Sequence, residues 1–207
     1  MGHPGKSDQT VLSAKNLEYG EWASDVIDGL GFEEMICMGG SYGGGVLVKL
    51  MCVAPKKISK AILLVPSGIC NTSTVSIMFS MGIPMILYNI TQKEKWLKKA
   101  ILPMAINEKW IDEMTFEMIK CSFDNVCIKA GMPSNVKKVD MKNYTAQTLL
   151  ITGEKDVLFP GAKVIERAKV IIPNLKTYLM KESGHIWMTS SEKLENILKM
   201  IADFIDE

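Results

Sequence analysis

Residues 39–43, with the sequence GGSYG, limit the folds open to this chain more than any other segment. They match the pattern G-x-S-x-G between a short apolar run at 35–38 and a predicted helix at 46–51, so a sharp strand-to-helix turn is expected. Such a turn holds its serine in a strained conformation with the hydroxyl exposed, and glycines let the two backbones pass closely. Ser41 is therefore a candidate nucleophile, and a purely structural glycine-rich turn is the alternative.

The same glycines fit neither of the common nucleotide-binding loops. Val46 and Leu47 occupy positions where a phosphate-binding loop requires Lys and Ser or Thr. The spacing G-x-G-x-x-G of dinucleotide-binding folds cannot be aligned with these glycines either. The sequence predicts no cofactor, and no cluster of Cys, His, Asp or Glu has the spacing of metal ligands.

Further apolar runs at 61–65 and 148–151 predict two more strands of the sheet, and the run at 176–180 predicts the last strand. Short apolar runs without polar alternation are typical of parallel strands that are covered on both faces. Because a helix predicted at 162–170 separates the last two runs, strands and helices alternate. The sequence therefore predicts an α/β fold with a parallel sheet flanked by helices.

Two amphipathic helices are predicted at the two ends of this pattern. The first covers about 17–30, and its apolar face would contain Trp22, Val26, Ile27 and Leu30. The second begins with a capping box of Thr189 and Glu192. Its apolar face would contain Leu194, Ile197, Leu198, Ile201 and Ile205.

Between 67 and 143 the strand signal disappears, which predicts a helical cap inserted into a core formed by 1–66 and 144–207. This segment is rich in methionine, at positions Met78, Met81, Met85, Met104, Met114, Met118 and Met132. Methionines at helical spacing indicate a core more often than an adaptable apolar pocket. The most apolar stretch, 74–90, is short for a membrane span and contains polar residues, Gly82 and Pro84, so we predict a buried or lipid-touching helix pair and no stable span.

A serine hydroxyl needs a neighbouring base, and the chain has only two histidines, His3 and His185. His185 lies in the loop between the last predicted strand and the final helix, where its side chain can reach the carboxyl edge of the sheet. Asp156 follows the strand at 148–151 and is the candidate carboxylate that orients the imidazole. Glu154 and Glu182 are the alternatives, as solvated loop charges.

These residues define the predicted chemistry. Ser41 attacks a carbonyl group, His185 acts as general base and then general acid, and Asp156 holds the histidine tautomer. The backbone N–H of Tyr42, at the start of a helix, is the predicted oxyanion donor.

Composition excludes several other classes of function. Lys and Arg number 24 and Asp and Glu 23, so no nucleic-acid partner is expected. The first ten residues lack the pattern of a signal peptide. Five cysteines without a C-x-x-C pair predict reduced thiols in a cytoplasmic protein: Cys37, Cys52, Cys70, Cys121 and Cys127.

Taken in order, the serine, aspartate and histidine segments resemble the α/β-hydrolase superfamily, and within it the cap-bearing carboxylesterases of bacterial type. Residues 2–8 (GHPGKSD) are similar to the G-x-G-x-S segment that follows the fourth strand of that family. The resemblance implies hydrolysis of a small-molecule carboxylic ester through an acyl-enzyme on Ser41. Hydrolysis of amides, thioesters, C–C bonds or peracids is an alternative within the same fold, and an impaired fragment or binding protein is another.

The resemblance also implies that the first strands of the family's sheet are missing from this chain. In the family about four strands precede the G-x-G-x-S segment, and the loop after the third carries an oxyanion-hole motif. We therefore expect either a truncated form of a longer hydrolase or a second chain that completes the sheet. The strand at 35–38 would become a sheet edge, which predicts self-association through that edge.

Overall fold

Four parallel strands form the centre of the fold in the computed structural model, which describes residues 10–125, 131–188 and 191–207. The strands are β1 (Met35–Gly40), β2 (Ile58–Leu64), β3 (Gln147–Gly153) and β4 (Leu175–Met180). They lie in the order β1-β2-β3-β4, and each neighbouring pair is parallel. The predicted α/β fold class is confirmed.

Helices cover both faces of this sheet and complete the core. They are α1 (Glu18–Gly29), α2 (Ser41–Val53), α7 (Gly161–Ile171) and α8 (Ser191–Asp206). Successive residues of a strand point to opposite faces. Leu63 therefore joins the larger cluster with α1, α2 and α7, whereas Ile62 packs with α8.

The apolar faces of the two end helices differ in part from the prediction. Ile27 of α1 is buried, but Val26 is 40% exposed and Leu30, directly after the end of α1, is 62% exposed. In α8, Leu198 and Ile205 are exposed and Phe204 is buried in their place. Apolar spacing marks a broad stripe on a helix, and only the packing partner selects which part of it becomes core. Thr189, the proposed cap of α8, lies outside the described residues.

Strand β1 forms one edge of the sheet in the part of the chain that the structure describes. Ile36 and Met38 are 41% and 55% exposed on this strand, so its outer face is apolar and open. Trp22 and Val26 of α1 line a shallow groove beside it. The edge position predicted for this strand is therefore observed, while pairing with another chain stays a prediction.

Helices also dominate the segment between β2 and β3. They are α3 (Thr74–Ile77), a π-helical turn (Met78–Gly82), α4 (Ile83–Thr91), α5 (Glu94–Ala105) and α6 (Glu113–Asn125). The expected helix pair at 74–90 is wrong, because one continuous helix covers Thr74–Thr91. Gly82 ends a π-helical turn, and Pro84 follows this irregular turn directly, in the interior of the continuous helix. None of the cap methionines is fully buried, but Met85 packs against the cluster of Tyr88, Leu97 and Ile101, so the core interpretation is confirmed only for Met85.

Candidate active site

Ser41 is the first residue of α2 and follows β1 without a loop. Its φ angle is 50°, in the left-handed region that non-glycine residues rarely adopt. The turn is so tight that a Cβ atom on Gly39 would lie 2.6 Å from the carbonyl oxygen of Gly43. The sharp turn predicted from G-x-S-x-G is therefore present, with its serine strained and half-buried.

A second serine holds this turn in place. The carbonyl oxygen of Ser41 accepts a hydrogen bond from the backbone N–H of Ser67 at 3.0 Å and from its hydroxyl at 3.2 Å. Ser67 is fully buried just beyond β2, so the two neighbouring strand ends are tied together. These bonds fix the backbone that carries the Ser41 hydroxyl.

Asp156 and His185 approach Ser41 from the ends of β3 and β4. The Oγ atom of Ser41 lies 2.8 Å from Nε2 of His185, and Nδ1 of the same ring lies 2.9 Å from Oδ2 of Asp156. Both side chains are shielded from water, with exposed fractions of 8% for His185 and 0% for Asp156. The structure thus brings the three predicted residues together in one hydrogen-bonded chain.

The carboxylate of Asp156 is also fixed by its own loop. Its Oδ1 atom accepts hydrogen bonds from the N–H groups of Leu158 at 2.8 Å and Phe159 at 3.0 Å. The ring of Phe159 packs edge-on against the His185 imidazole, with 5.3 Å between centroids. One carboxylate oxygen of Asp156 therefore accepts hydrogen bonds from its own loop, and the other forms the hydrogen bond with His185.

The loops that carry Asp156 and His185 are joined through their flanking residues. The N–H of Lys155 donates to the carbonyl of Ser183 at 2.8 Å, and the N–H of Glu182 donates to the Glu154 carboxylate at 3.0 Å. Lys181 pairs with Glu154 at 2.8 Å, and its hydrogen bond lowers the pKa of that carboxyl. Glu154 and Glu182 are thus partners of surface lysines, as expected if they are solvated loop charges and not the carboxylate that orients His185.

The histidine loop rests on the cap as well as on the sheet. The N–H of Ile186 donates to the carbonyl oxygen of Met104 at 2.9 Å, near the end of α5. A Cβ atom on Gly184 would lie 2.3 Å from that same oxygen, so only glycine permits this approach. The position of His185 therefore depends on α5.

Tyr42 is the second residue of α2, where an α-helix has no internal acceptor for its N–H groups. Its ring packs edge-on against Tyr19 of α1, with 5.7 Å between centroids. Burial, and then the neighbouring Tyr19, raise the pKa of the Tyr42 phenol. The side chain thus serves packing, and its backbone N–H stays the predicted oxyanion donor.

Sequence reasoning missed the groups that position the three residues. An Asp whose side chain accepts from N–H groups two and three residues later is a recognisable turn, so the amides of Leu158 and Phe159 could have been expected from residues 156–160. Ser67 carries no comparable local signal, because its partner is distant in sequence. Residues 2–8 and Cys127 lie outside the described residues.

Known proteins are similar to this chain in sequence and in fold. No protein-family model matches the chain. It is 22% identical to carboxylesterase YbfK of Bacillus subtilis over 99% of its length and 69% of that protein, and 20% identical to the uncharacterized carboxylesterase nap of the same organism over 90% and 62%. It is 22% identical to 2-hydroxymuconate semialdehyde hydrolase of Pseudomonas putida, over 90% of this chain and 68% of that protein. The chain thus spans about two thirds of the length of these relatives.

Solved structures agree with the sequence relatives. Naproxen esterase from Bacillus subtilis superposes with a TM-score of 0.77 at 18% identity, over 97% of this chain and 71% of that one. The carboxylesterase CesB (YbfK) from Bacillus subtilis gives 0.75 at 19% identity, over 99% and 71%. The protein has the α/β-hydrolase fold. Within that fold it is similar to bacterial carboxylesterases, as its sequence motifs predicted. This similarity supports the interpretation of the protein as a hydrolase. That strands are missing upstream stays a prediction.

Proposed function

We propose that this protein is a serine hydrolase that cleaves carboxylic esters through an acyl-enzyme on Ser41. The observation that carries the proposal is the continuous hydrogen-bonded chain from Ser41 Oγ through His185 to Asp156, at 2.8 and 2.9 Å. Distances in this range are those required between a nucleophile, its base and the group that orients the base. The similarity to carboxylesterases supports esters as the substrate class.

In the proposed first half-reaction, the Ser41 oxygen attacks the ester carbonyl carbon while its proton passes to Nε2 of His185. The negative charge that develops on the carbonyl oxygen is stabilised by the N–H of Tyr42, which the dipole of α2 assists. Asp156 stabilises the imidazolium formed at the same moment. The tetrahedral intermediate then releases the alcohol, which takes the proton from Nε2.

The second half-reaction repeats these steps with water. Nε2 of His185 accepts a proton from a water molecule as its oxygen attacks the acyl carbon. Collapse of the second tetrahedral intermediate breaks the bond to Ser41 and returns the proton to the Ser41 oxygen. The products are a carboxylic acid and an alcohol.

Labelling with a fluorophosphonate probe, followed by peptide mapping, tests the proposal. We expect phosphonylation of Ser41 alone, and its loss in Ser41→Ala and His185→Ala. Ser122→Ala, which changes an exposed serine of α6, is the matched control and should label normally. Modification of another serine with Ser41 untouched would exclude this nucleophile, and absence of any labelling would favour a binding protein.

Hydrolysis of a C–C bond is a second candidate, since one relative is named 2-hydroxymuconate semialdehyde hydrolase. Both reactions would use the same three residues, so probe labelling does not separate them. Comparing kcat/KM for a short-chain p-nitrophenyl ester and for 2-hydroxymuconate semialdehyde does. A higher value for the ester supports the first proposal, and the reverse supports the second.

A further inference from the structure

The continuous helix Thr74–Thr91 is apolar on two opposite faces. Its outer face consists of exposed apolar side chains: Val75, Met78, Phe79, Ile83, Ile86 and Ile90. Phe79 and Ile90 are 70% and 74% exposed, and only 11% of the helix is buried. An apolar stripe of this length that faces water is unusual in a soluble protein and marks an interaction surface.

The inner face of the same helix is already occupied. Tyr88 is buried with Leu97 and Ile101 of α5, and its hydroxyl donates to the Asp124 carboxylate of α6 at 2.6 Å. Pro84 is buried on the same side. Because a helix that crosses a bilayer would have to give up these contacts, the outer face can meet an apolar phase only by lying along its surface.

Positive charges follow the helix immediately. Residues 74–92 contain no charged side chain, whereas residues 93–99 contain four lysines and one glutamate. Lys93, Lys95 and Lys99 are exposed, and the ammonium groups of Lys95 and Lys99 lie 5.3 and 5.6 Å from the centroid of the Trp96 ring. Aromatic rings and lysines are enriched where a membrane meets water. The fourth lysine, Lys98, instead lines a cavity between α5 and α6 together with several glutamates.

We propose that the outer face of Thr74–Thr91 docks on an anionic lipid surface, with the helix parallel to the bilayer plane. The apolar stripe would enter the boundary between headgroups and acyl chains, and Lys93, Lys95 and Lys99 would lie against the lipid phosphates. Apolar burial together with electrostatic attraction is the usual basis of such binding. The proposal concerns a surface outside the Ser41 site and is independent of the reaction catalysed there.

Co-sedimentation with vesicles tests this surface directly. We expect the chain to bind equimolar phosphatidylglycerol and phosphatidylcholine vesicles, and to bind pure phosphatidylcholine much more weakly. Changing Lys93, Lys95 and Lys99 to Gln should weaken binding to the anionic vesicles by about 100-fold, because each lysine near such a surface contributes about 1 kcal/mol. Lys138→Gln, Lys142→Gln and Lys169→Gln together, in a groove beside α7 that includes no residue of the stripe, form the control and should change little.

The apolar stripe is tested by Phe79→Gln, Ile86→Gln and Ile90→Gln, because glutamine removes apolar area but retains helix propensity. Binding should fall at least about tenfold. Leu198→Gln, on the exposed part of α8, is the matched control. Unchanged vesicle binding in the stripe variant would overturn the proposal. A second result would also overturn it: light scattering could show that the native chain is an oligomer and the stripe variant a monomer. A second copy of the chain, and not a lipid surface, would then cover this face.

Discussion

Replacing Asp156 by Asn separates its chemical role from its structural one. An amide in this position keeps one oxygen to accept from the N–H groups of Leu158 and Phe159, so the loop should retain its shape. Its NH₂ group, however, would donate to Nδ1 of His185. The proton of the imidazole would then lie on Nε2, which could no longer accept the proton of Ser41.

The size of the effect follows from the geometry. Two opposite charges about 4 Å apart interact by about 4 kcal/mol at an effective dielectric constant of 20, which corresponds to about 10³ in rate. The incorrect tautomer adds to this loss, so turnover of a short-chain p-nitrophenyl ester and the rate of fluorophosphonate labelling should both fall by about 10⁴. The free energy of unfolding, measured by urea denaturation, should fall by less than about 1.5 kcal/mol.

Asp156→Ala provides the matched comparison. It removes the acceptor of two N–H groups as well as the charge, so it should lower the free energy of unfolding by about 2 kcal/mol or more while losing a similar amount of activity. An Asn variant that labels within tenfold of the native rate would refute the assignment of Asp156. A large loss of stability in that variant would show that the loop depends on the charge itself.

Three further changes test the surroundings of the site. Gly39→Ala should abolish probe labelling, because its Cβ atom would lie 2.6 Å from a backbone oxygen. In Gly43→Ala the new Cβ atom meets nothing within 4 Å, so this variant should label normally. Equal labelling of the two variants would contradict the close approach of the backbones at Gly39. Ile36→Lys on the exposed edge strand should reduce self-association in size-exclusion chromatography, and an unchanged profile would exclude pairing through this edge. Burial raises the pKa of the Cys52 thiol to about 12. Iodoacetamide at pH 8 should therefore alkylate the exposed Cys121 and react with Cys52 only after unfolding. Rapid alkylation of Cys52 in the folded protein would contradict this.

Strands β1, β2 and β3 could be predicted because they contain short apolar runs that end near glycine or proline, and the candidate site because the proposed chemistry needs particular residue types. With only two histidines in the chain, the base was nearly determined once Ser41 had been chosen. The chain order Ser, Asp, His then limited the acid to the loop after β3. Such patterns involve residues that are close together in the chain or few in number, so they can be recognised in a single sequence.

Features that depend on distant partners could not be predicted. Pro103 lies inside α5, and nothing nearby indicates that the helix continues through it. Val65 has a φ of 41°, a strained conformation for a β-branched residue, and its N–H donates to Ile151 of the neighbouring strand at 2.8 Å. The outer stripe of Thr74–Thr91 was expected to be buried or to touch lipid, because spacing shows that a face is apolar but not what covers it.

The contacts of Ser67 and Met104 determine how the cap can move. Ser67, where the segment leaves the sheet, holds the carbonyl of Ser41, and Met104, within the cap, holds the loop of His185. A cap that swung away as one rigid door would break both sets of hydrogen bonds and separate the nucleophile from its base. An opening that preserves the contact between Ser41 and His185 therefore leaves Ser67 and the end of α5 in place.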